Sequence, residues 1–416
     1  MSSNVVLDDE QAAMRQGARG EPLRWAMEQQ LQVAEIFGAR RFVPVASAQV
    51  GAEIGTMGEA GLRIVESLAA QGAKARVPTL TAACSLDFQR ATRWGLPARQ
   101  VELESRLHAA LQGIGCIDTA TCVNYQTVSP PRFRQHLAWG DTGAVAFANG
   151  VMGARSNYEA GPASLAAALT GCVPAYGFHL PEQRIATRVF EVDTPLRGTA
   201  DWSALGALVG GEVADYWTVP AVLAHGSEPT VDELKHFAAA VASFGSVAMF
   251  HVVGATPEAP TLAEACGGAV PAQRRHVGRA DLDGVFRADF ARHERLDLVV
   301  FSAPQLSLQE AVQVVRGLDG RRIAAGTRLV MTVNAQVEAE LARLGFLEQL
   351  QAAGGELLTG TCFYVMAPAL VRETLGARTL LTPSAKLMNI LRGAGYEVGL
   401  AGVADCVEAA VRGAFR

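Results

Sequence analysis

Familiar catalytic signatures are missing from this 416-residue sequence. It has no GxSxG elbow, no GxxxxGK[ST] phosphate loop and no HExxH pair, which removes the usual hydrolase, nucleotidase and zinc-protease readings. "GTMGEAG" is not GxGxxG and opens a helix after a loop, so a dinucleotide site is not expected. No CxxC pair occurs among the seven cysteines (84, 116, 122, 172, 266, 362 and 406). Their odd number and wide spacing argue against a disulfide framework and for a reducing compartment, with the cytoplasm as the expected location. Cys116 and Cys122 are the closest pair, but their spacing is not a standard zinc pattern. Most of the seven read as small buried hydrophobes. No Lys/Arg run stands out and the net charge is −5, so neither a nucleic acid nor an anionic membrane is an expected partner. A small anionic substrate stays open, because one or two basic residues suffice to bind it. No segment approaches ~18 uninterrupted apolar residues, the length of a membrane span. "MSSNVVLDDEQAAMRQGARG" lacks an apolar signal core.

What is present is an α/β pattern. Half of the residues are hydrophobic and 42 are glycine. The chain is too long for one core, so two or three domains are expected. "GEPLRWAMEQQLQVAEIFGA" reads as an amphipathic helix ended by Gly38, "RFVPVAS" as a strand, "EAGLRIVESLAAQGA" as a helix and "KARVP" as a short strand. Residues 113 to 165 are dense in Gly, Thr, Ser, Asn and Pro, and a structureless stretch that long is usually functional or misread. Alternation then returns with the helix "VDELKHFAAAVASFG" and the strand "SVAMFHVVG". It continues through "LDLVVFSAP", "LSLQEAVQVVRGL", "TRLVMTVN", "AQVEAELARLGFLEQL", "GELLTGTCFYV", "ARTLLTPS" and "AKLMNILRGAG". This order predicts several α/β/α units with mostly parallel sheets. The expected divisions are an N-terminal region over 1–225 with Gly-rich loops, a linking segment over 226–290 and a C-terminal unit over 291–416.

In such sheets ligands sit beyond the carboxyl ends of the strands. That rule alone nominates Ser302, Asn334, Thr361, Cys362, Thr382 and Ser384. "GVMGARSNYEAG" places Arg155 and Asn157 in a Gly-rich turn that suits an anion, or that simply leaves the arginine solvated. His251, at the end of an apolar strand, reads as a satisfied core residue or as a base. Ser384 and Lys386 share a strand-to-helix junction, where Ser384 serves as N-cap with or without a ligand contact. Cys362 is either a thiolate ligand or a buried thiol.

Taken in order, "TATCVNYQ", "HLAWGDTGAVAFANGVMGARSN", "AALTGCVPAYGFHL", "VAMFHVVGATPEA", "DLVVFSAPQLSLQE", "GTCFYV" and "LLTPSAK" resemble the large subunit or catalytic domain of aconitase X. The resemblance runs from about residue 15 to 415. It implies an aconitase-like α/β fold around a central cleft and dehydration of a small hydroxy acid, such as cis-3-hydroxy-L-proline or mevalonate 5-phosphate. It also implies an iron–sulfur cluster held by three cysteines, whose open iron acts as a Lewis acid on the departing hydroxyl. A small swivel domain is either fused or supplied by a separate small subunit. This chain leaves no room for it, so a heterodimer with a small partner is the expectation. The family's Gly-Ala-Arg-Thr-Asn turn matches Gly153, Ala154, Arg155, Ser156 and Asn157. Its His-x-Val-Gly-x-Thr-Pro-Glu-Ala matches His251 through Ala259. Its Thr-Cys ligand motif matches Thr361 and Cys362, and a C-terminal cysteine matches Cys406.

The departures fall inside motifs. Where the family has Cys-Pro-His, this chain has Ala303, Pro304 and Gln305, and alanine cannot ligate iron. Asn-Ser-Ala-Lys becomes Pro383-Ser384-Ala385-Lys386, and Trp-Gly-Glu-Ser becomes Trp139-Gly140-Asp141-Thr142. The resemblance therefore implies a dehydratase in which Asp141, Thr142, Gly153, Arg155, Ser156, Asn157 and Lys386 hold the acid. Ser384, Lys386 or His251 would move protons, and Cys362 and Cys406 would be the remaining metal ligands. The cluster is expected to be absent or altered, leaving no cofactor or another divalent metal. A relative with isomerase or other biosynthetic chemistry, and a scaffold for a small catalytic subunit, are the alternatives.

Overall fold

The computed structural model describes residues 5–286 and 295–415. Three units follow one another, each built on a parallel sheet. In the first, Thr79–Thr81, Ala48–Val50 and Ala138–Trp139 pair side by side. Helices Glu21–Ile36, Ile54–Ala70, Ala98–Ile114 and Pro162–Thr170 surround them. Among the described residues the single antiparallel ladder joins Phe42–Pro44 to Cys172–Pro174. The second sheet runs in the order His251–Val252, Pro220–Ala224, Arg188–Val192, Arg274–Val277. The third has five strands: Glu356–Thr359, Arg328–Val333, Leu298–Phe301, Thr379–Thr382 and Glu397–Leu400. Leu298–Phe301 is buried along its whole length, as a central parallel strand covered by helices on both faces must be.

Most sequence expectations hold and the exceptions have local causes. The helix Val231–Gly245 opens on a reciprocal Thr230–Glu233 cap, and Leu308–Leu318 opens on the same device from Ser307 and Glu310, each satisfying orphan N–H groups of the first turn. The expected long helix after Asn334 breaks into Ala335–Arg343 and Phe346–Ala352, because Gly345 adopts φ 78°. "KARVP" is not a strand; pairing begins after it, at Thr79. Within "SVAMFHVVG" only His251–Val252 pairs. The Gly-rich stretch is not structureless: it holds the helix Thr142–Gly150 and the strand Ala138–Trp139. Strand pairing also joins Arg188–Val192, on one side of the expected division at residue 225, to Arg274–Val277 on the other. Among the described residues no helix is long and apolar enough to cross a membrane.

The helices Gly198–Val213 and Val231–Gly245 cross at glycine. A Cβ at Gly245 would lie 2.0 Å from the Gly210 carbonyl oxygen, and one at Gly210 would lie 2.7 Å from that of Val241. The two backbones touch because no side chain separates them. Gly210→Ala should therefore destabilise by about 1–3 kcal/mol through overpacking. Thermal unfolding would reveal it, and an unchanged midpoint would contradict the contact. The crossing matters to the site, since the second helix carries Lys235 and His236 inward. A cleft of about 1000 Å³ is lined by all three units, with Tyr125 and Phe147 from the first, Thr199 and Thr230 from the second, and Ser307 and Val403 from the third.

Candidate active site

The turn after Leu298–Phe301 is held from every side. The Ala303 carbonyl accepts from the Ser384 hydroxyl. The Gln305 carbonyl accepts from Lys235 Nζ at 3.2 Å. The Gln305 side chain, fully buried, accepts from Thr121 Oγ1 at 2.7 Å and donates to the carbonyls of Ala120 and Thr361. Gln305 thereby stitches the first unit to the third.

This stitching brings two distant thiols together. The Gln305 backbone N–H points at Cys122 Sγ, 3.4 Å away, and Cys122 shares a hydrogen bond with Cys362. Ser302 Oγ lies 3.3 Å from Cys362 Sγ and already accepts from Thr332 Oγ1 and the Phe363 N–H. A hydroxyl with both acceptor positions filled has its one proton left to give, so Ser302 donates to the Cys362 sulfur. Burial pushes the Cys362 thiol up, but hydrogen bonds from Cys122 and Ser302 and the charge of Lys386 pull it below the usual thiol range. Cys122 goes the other way, held up by its bond to Cys362 and by burial. Of the two thiols, Cys362 is thus the one whose ionisation its surroundings favour.

Facing the pair is Lys386, almost wholly buried on the first turn of helix Ala385–Gly393. Burial disfavours its charge, yet Asp141, Cys122, Cys362 and Glu53 together hold its ammonium above the usual lysine range. Its Nζ lies 5.3 Å from the centre of the Tyr364 ring. Asp141 caps helix Thr142–Gly150 by accepting from the Ala144 N–H at 2.9 Å. Glu53 sits just past the strand Ala48–Val50 and accepts from Thr56 Oγ1 at 2.8 Å. Burial, with Asp141 and Glu104 nearby, pushes Glu53 up to about 7 against the opposing pull of Thr56 and Lys386. One ammonium, two carboxyls and two sulfurs thus gather at strand ends of two units. No arginine is among the main charges acting on Lys386.

Several nominated residues lie elsewhere. Asn157 is buried and spent on structure: its amide donates to the Tyr176 carbonyl and its oxygen accepts from the Phe178 N–H and the Tyr216 hydroxyl. Ser156 is likewise buried between Trp139 N–H and the Asn157 carbonyl. Gly153, at φ 61°, lets the chain pass under Phe133. Arg155 donates to the His179 carbonyl at 3.3 Å and senses Glu258, Arg134 and Glu182, not Asp141 or Lys386. His251 bonds the Arg184 carbonyl at 2.8 Å within the second unit. Ser384 caps its helix and latches Ala303. Cys406 packs in a separate core with Leu296 and Val407, its thiol directed at the Ala401 carbonyl, so the structure does not unite it with Cys362. Asp141, with Thr142 beside it, Lys386 and Cys362 do meet. Sequence reasoning missed Cys122, Glu53 and Tyr364. The strand-end rule could have found Glu53, which follows a parallel strand of only three residues.

Three parallel-sheet units, the first and third of which lend residues to one polar site, define a three-domain α/β enzyme. Residues 4–182 match the aconitase X first domain, 186–287 the second and 296–412 the third. The crystal structure of Thermococcus kodakaraensis aconitase X in its holo-form superposes with a TM-score of 0.86 at 29% identity, covering 98% of this chain and 100% of that one. Cis-3-hydroxy-L-proline dehydratase of Pseudomonas aeruginosa is 40% identical over 98% of this chain and 70% of its own length. The phosphomevalonate dehydratase large subunit of Methanothermobacter thermautotrophicus is 34% identical over 94% of both. The chain belongs to the aconitase X family.

Proposed function

We propose that this chain is the large subunit of a dehydratase that removes water from a small cyclic hydroxy amino acid of the cis-3-hydroxyproline kind. The observation that carries the reading is the charge of the site: a single ammonium, Lys386, opposed by Asp141 and Glu53. A zwitterion suits that arrangement, its carboxylate on Lys386 and its ring ammonium on Asp141. A phosphomonoester would bring about two negative charges at neutral pH against one lysine and two carboxyls. The higher identity to the hydroxyproline enzyme points the same way.

Elimination needs a base for the proton beside the carboxylate and an acid for the departing hydroxyl. Glu53, poised near neutrality, accepts the proton. Lys386 has three N–H donors, enough to hold the carboxylate and hand a proton to the hydroxyl, which leaves as water. An ammonium is far more acidic than water, so its raised pKa does not prevent that transfer. Proton return from Glu53 to Lys386 resets the site.

The three-cysteine cluster of the family does not fit the residues present. Cys122 and Cys362 supply two sulfurs, but the turn beside them carries the Ala303 methyl, and the Gln305 side chain is fully engaged with Thr121, Ala120 and Thr361. Ala303→Cys should accordingly gain visible iron–sulfur absorbance on anaerobic reconstitution while the unaltered protein stays weakly coloured. A full complement of iron and sulfide in the unaltered protein would sink this reading. We place the enzyme in the cytoplasm, on its seven free, buried cysteines. We also assign it a small partner subunit, since the archaeal relative is named a large subunit. The decisive assay follows dehydration of cis-3-hydroxy-L-proline and of mevalonate 5-phosphate by the chain, alone and co-expressed with a candidate small subunit. Turnover of the phosphorylated substrate alone would overturn the assignment.

A further inference from the structure

A second cluster lies in the first unit, on helix Ala98–Ile114. Glu104 and His108 stand one turn apart on its buried face, and Cys84 approaches them from the loop after Thr79–Thr81. Ligand atoms of the three lie within 4.8 Å of one another, and all three residues are buried. Glu104 is fully buried, yet no Lys or Arg pairs with it among the described residues; its one ionic neighbour is His108 Nε2 at 4.0 Å. A buried carboxylate whose nearest cationic group stands 4.0 Å away is costly. It accepts from the N–H groups of Ile54 and Ser85 and from the Ser85 hydroxyl, which leaves lone-pair capacity on a carboxylate with about four such positions. Cys84 Sγ lies 3.0 Å from the Leu86 carbonyl and 2.9 Å from that of Gly360, and one thiol proton cannot serve both well. Asp118 Oδ2 takes His108 Nδ1 at 2.9 Å and is itself steadied by Thr81. A carboxylate behind a histidine in this way orients metal-binding imidazoles. A cavity of about 250 Å³, lined by Cys84, His108, Asp118 and Arg90, opens onto the cluster.

We propose that Cys84, Glu104 and His108 form a binding site for one divalent transition-metal ion of the zinc or cobalt kind, separate from the Cys122–Cys362 pair. Thiolate, imidazole and carboxylate suit such borderline ions, and three protein ligands leave a fourth position for water on the cavity side. The ligands need to draw in by roughly an ångström to reach bonding distances near 2.0–2.3 Å. Binding displaces the thiol proton and the Nε2 proton now shared with the Ala52 carbonyl, so a divalent ion replaces two protons and the cluster keeps its net charge. The ion would also brace the catalytic turn, because Cys84 exchanges backbone and side-chain hydrogen bonds with Gly360 and Thr361 beside Cys362.

The test is a cobalt(II) titration of the chelator-treated full chain. One ion per chain is expected, with a thiolate-to-cobalt charge-transfer band and the visible bands of a four-coordinate site. The spectrum should persist in the Cys122→Ser, Cys362→Ser double variant and vanish in Cys84→Ser. His108→Gln provides a second variant should Cys84→Ser fail to fold, and it too should lose the spectrum. Absence of a thiolate band in the unaltered chain, or a band that follows Cys122 and Cys362 instead, overturns the proposal.

Discussion

Lys386→Met should lower kcat/KM for dehydration by about 10³-fold, the range lost with a positioned proton donor, without a matching loss of stability. The side chain is nearly as long and the position is 5% exposed, so methionine fills the space and removes the cost of burying a charge. A variant that keeps its activity would dismiss Lys386 from the chemistry. The companion variant Glu53→Gln separates base from acid. Because burial lifts the Glu53 carboxyl to about 7, it is neutral below that pH and ionised above. A base must be ionised to accept a proton, so wild-type activity should climb as pH rises through about 7. Glu53→Gln should be slow at every pH and lack that rising limb. A limb that survives in the variant would assign it to another group.

Glu310→Ala should cost about 3–5 kcal/mol of folding stability, the usual result of stranding a buried ion partner. Lys235 is entirely buried and paired with Glu310, with Asp232 at 3.3 Å as its other carboxylate. Glu310 also accepts from His236 at 2.8 Å and from the Ser307 N–H. Removing the carboxylate strips the helix cap and leaves an underpaired ammonium beside the Gln305 carbonyl. Replacing the pair together, Lys235→Met with Glu310→Leu, should recover much of the loss. The same network sets a pH dependence. Burial raises the Glu310 carboxyl, but Lys235 and His236 outweigh it and hold the group down to about 2. A depressed carboxylate stabilises the fold above its unfolded value, near 4.5, and that contribution drains away as pH falls from there toward 2. Denaturant titrations at pH 6 and pH 3 would measure it, and a Glu310→Ala deficit equally large at both would refute the linkage.

The third sheet was legible because its strands are largely apolar runs, whereas the strands of the first, Thr79–Thr81, Ala48–Val50 and Ala138–Trp139, are too short to show a pattern. Thr230 with Glu233 and Ser307 with Glu310 mark helix starts in the residues themselves. The second unit was harder to delimit, since its strands His251–Val252 and Arg274–Val277 are short or exposed and only pairing identifies them. At the site, the strand-end rule reached Ser302, Cys362 and Ser384 but not Glu53 or Cys122, which follow segments too brief to give a period. The family motifs carry a different ambiguity. Ser156, Asn157 and His251 sit in long matching segments, yet they are buried and engaged in hydrogen bonds that shape the turn. A motif maintained for folding is indistinguishable, in one sequence, from one maintained for chemistry. The placement of Cys406 was hidden for the same reason: a cysteine near the C-terminus says nothing about which core its helix faces.

The chain has only three lysines, and two of them, Lys235 and Lys386, are buried. The third, Lys74, is exposed and donates to the Gly113 carbonyl. To an amine-reactive reagent the lysines of the folded protein therefore present a nearly blank surface: one exposed side chain, remote in sequence from the site. Acylation at Lys386 would report exposure of that buried amine against almost no background, and its suppression by added cis-3-hydroxy-L-proline would be countable by mass alone.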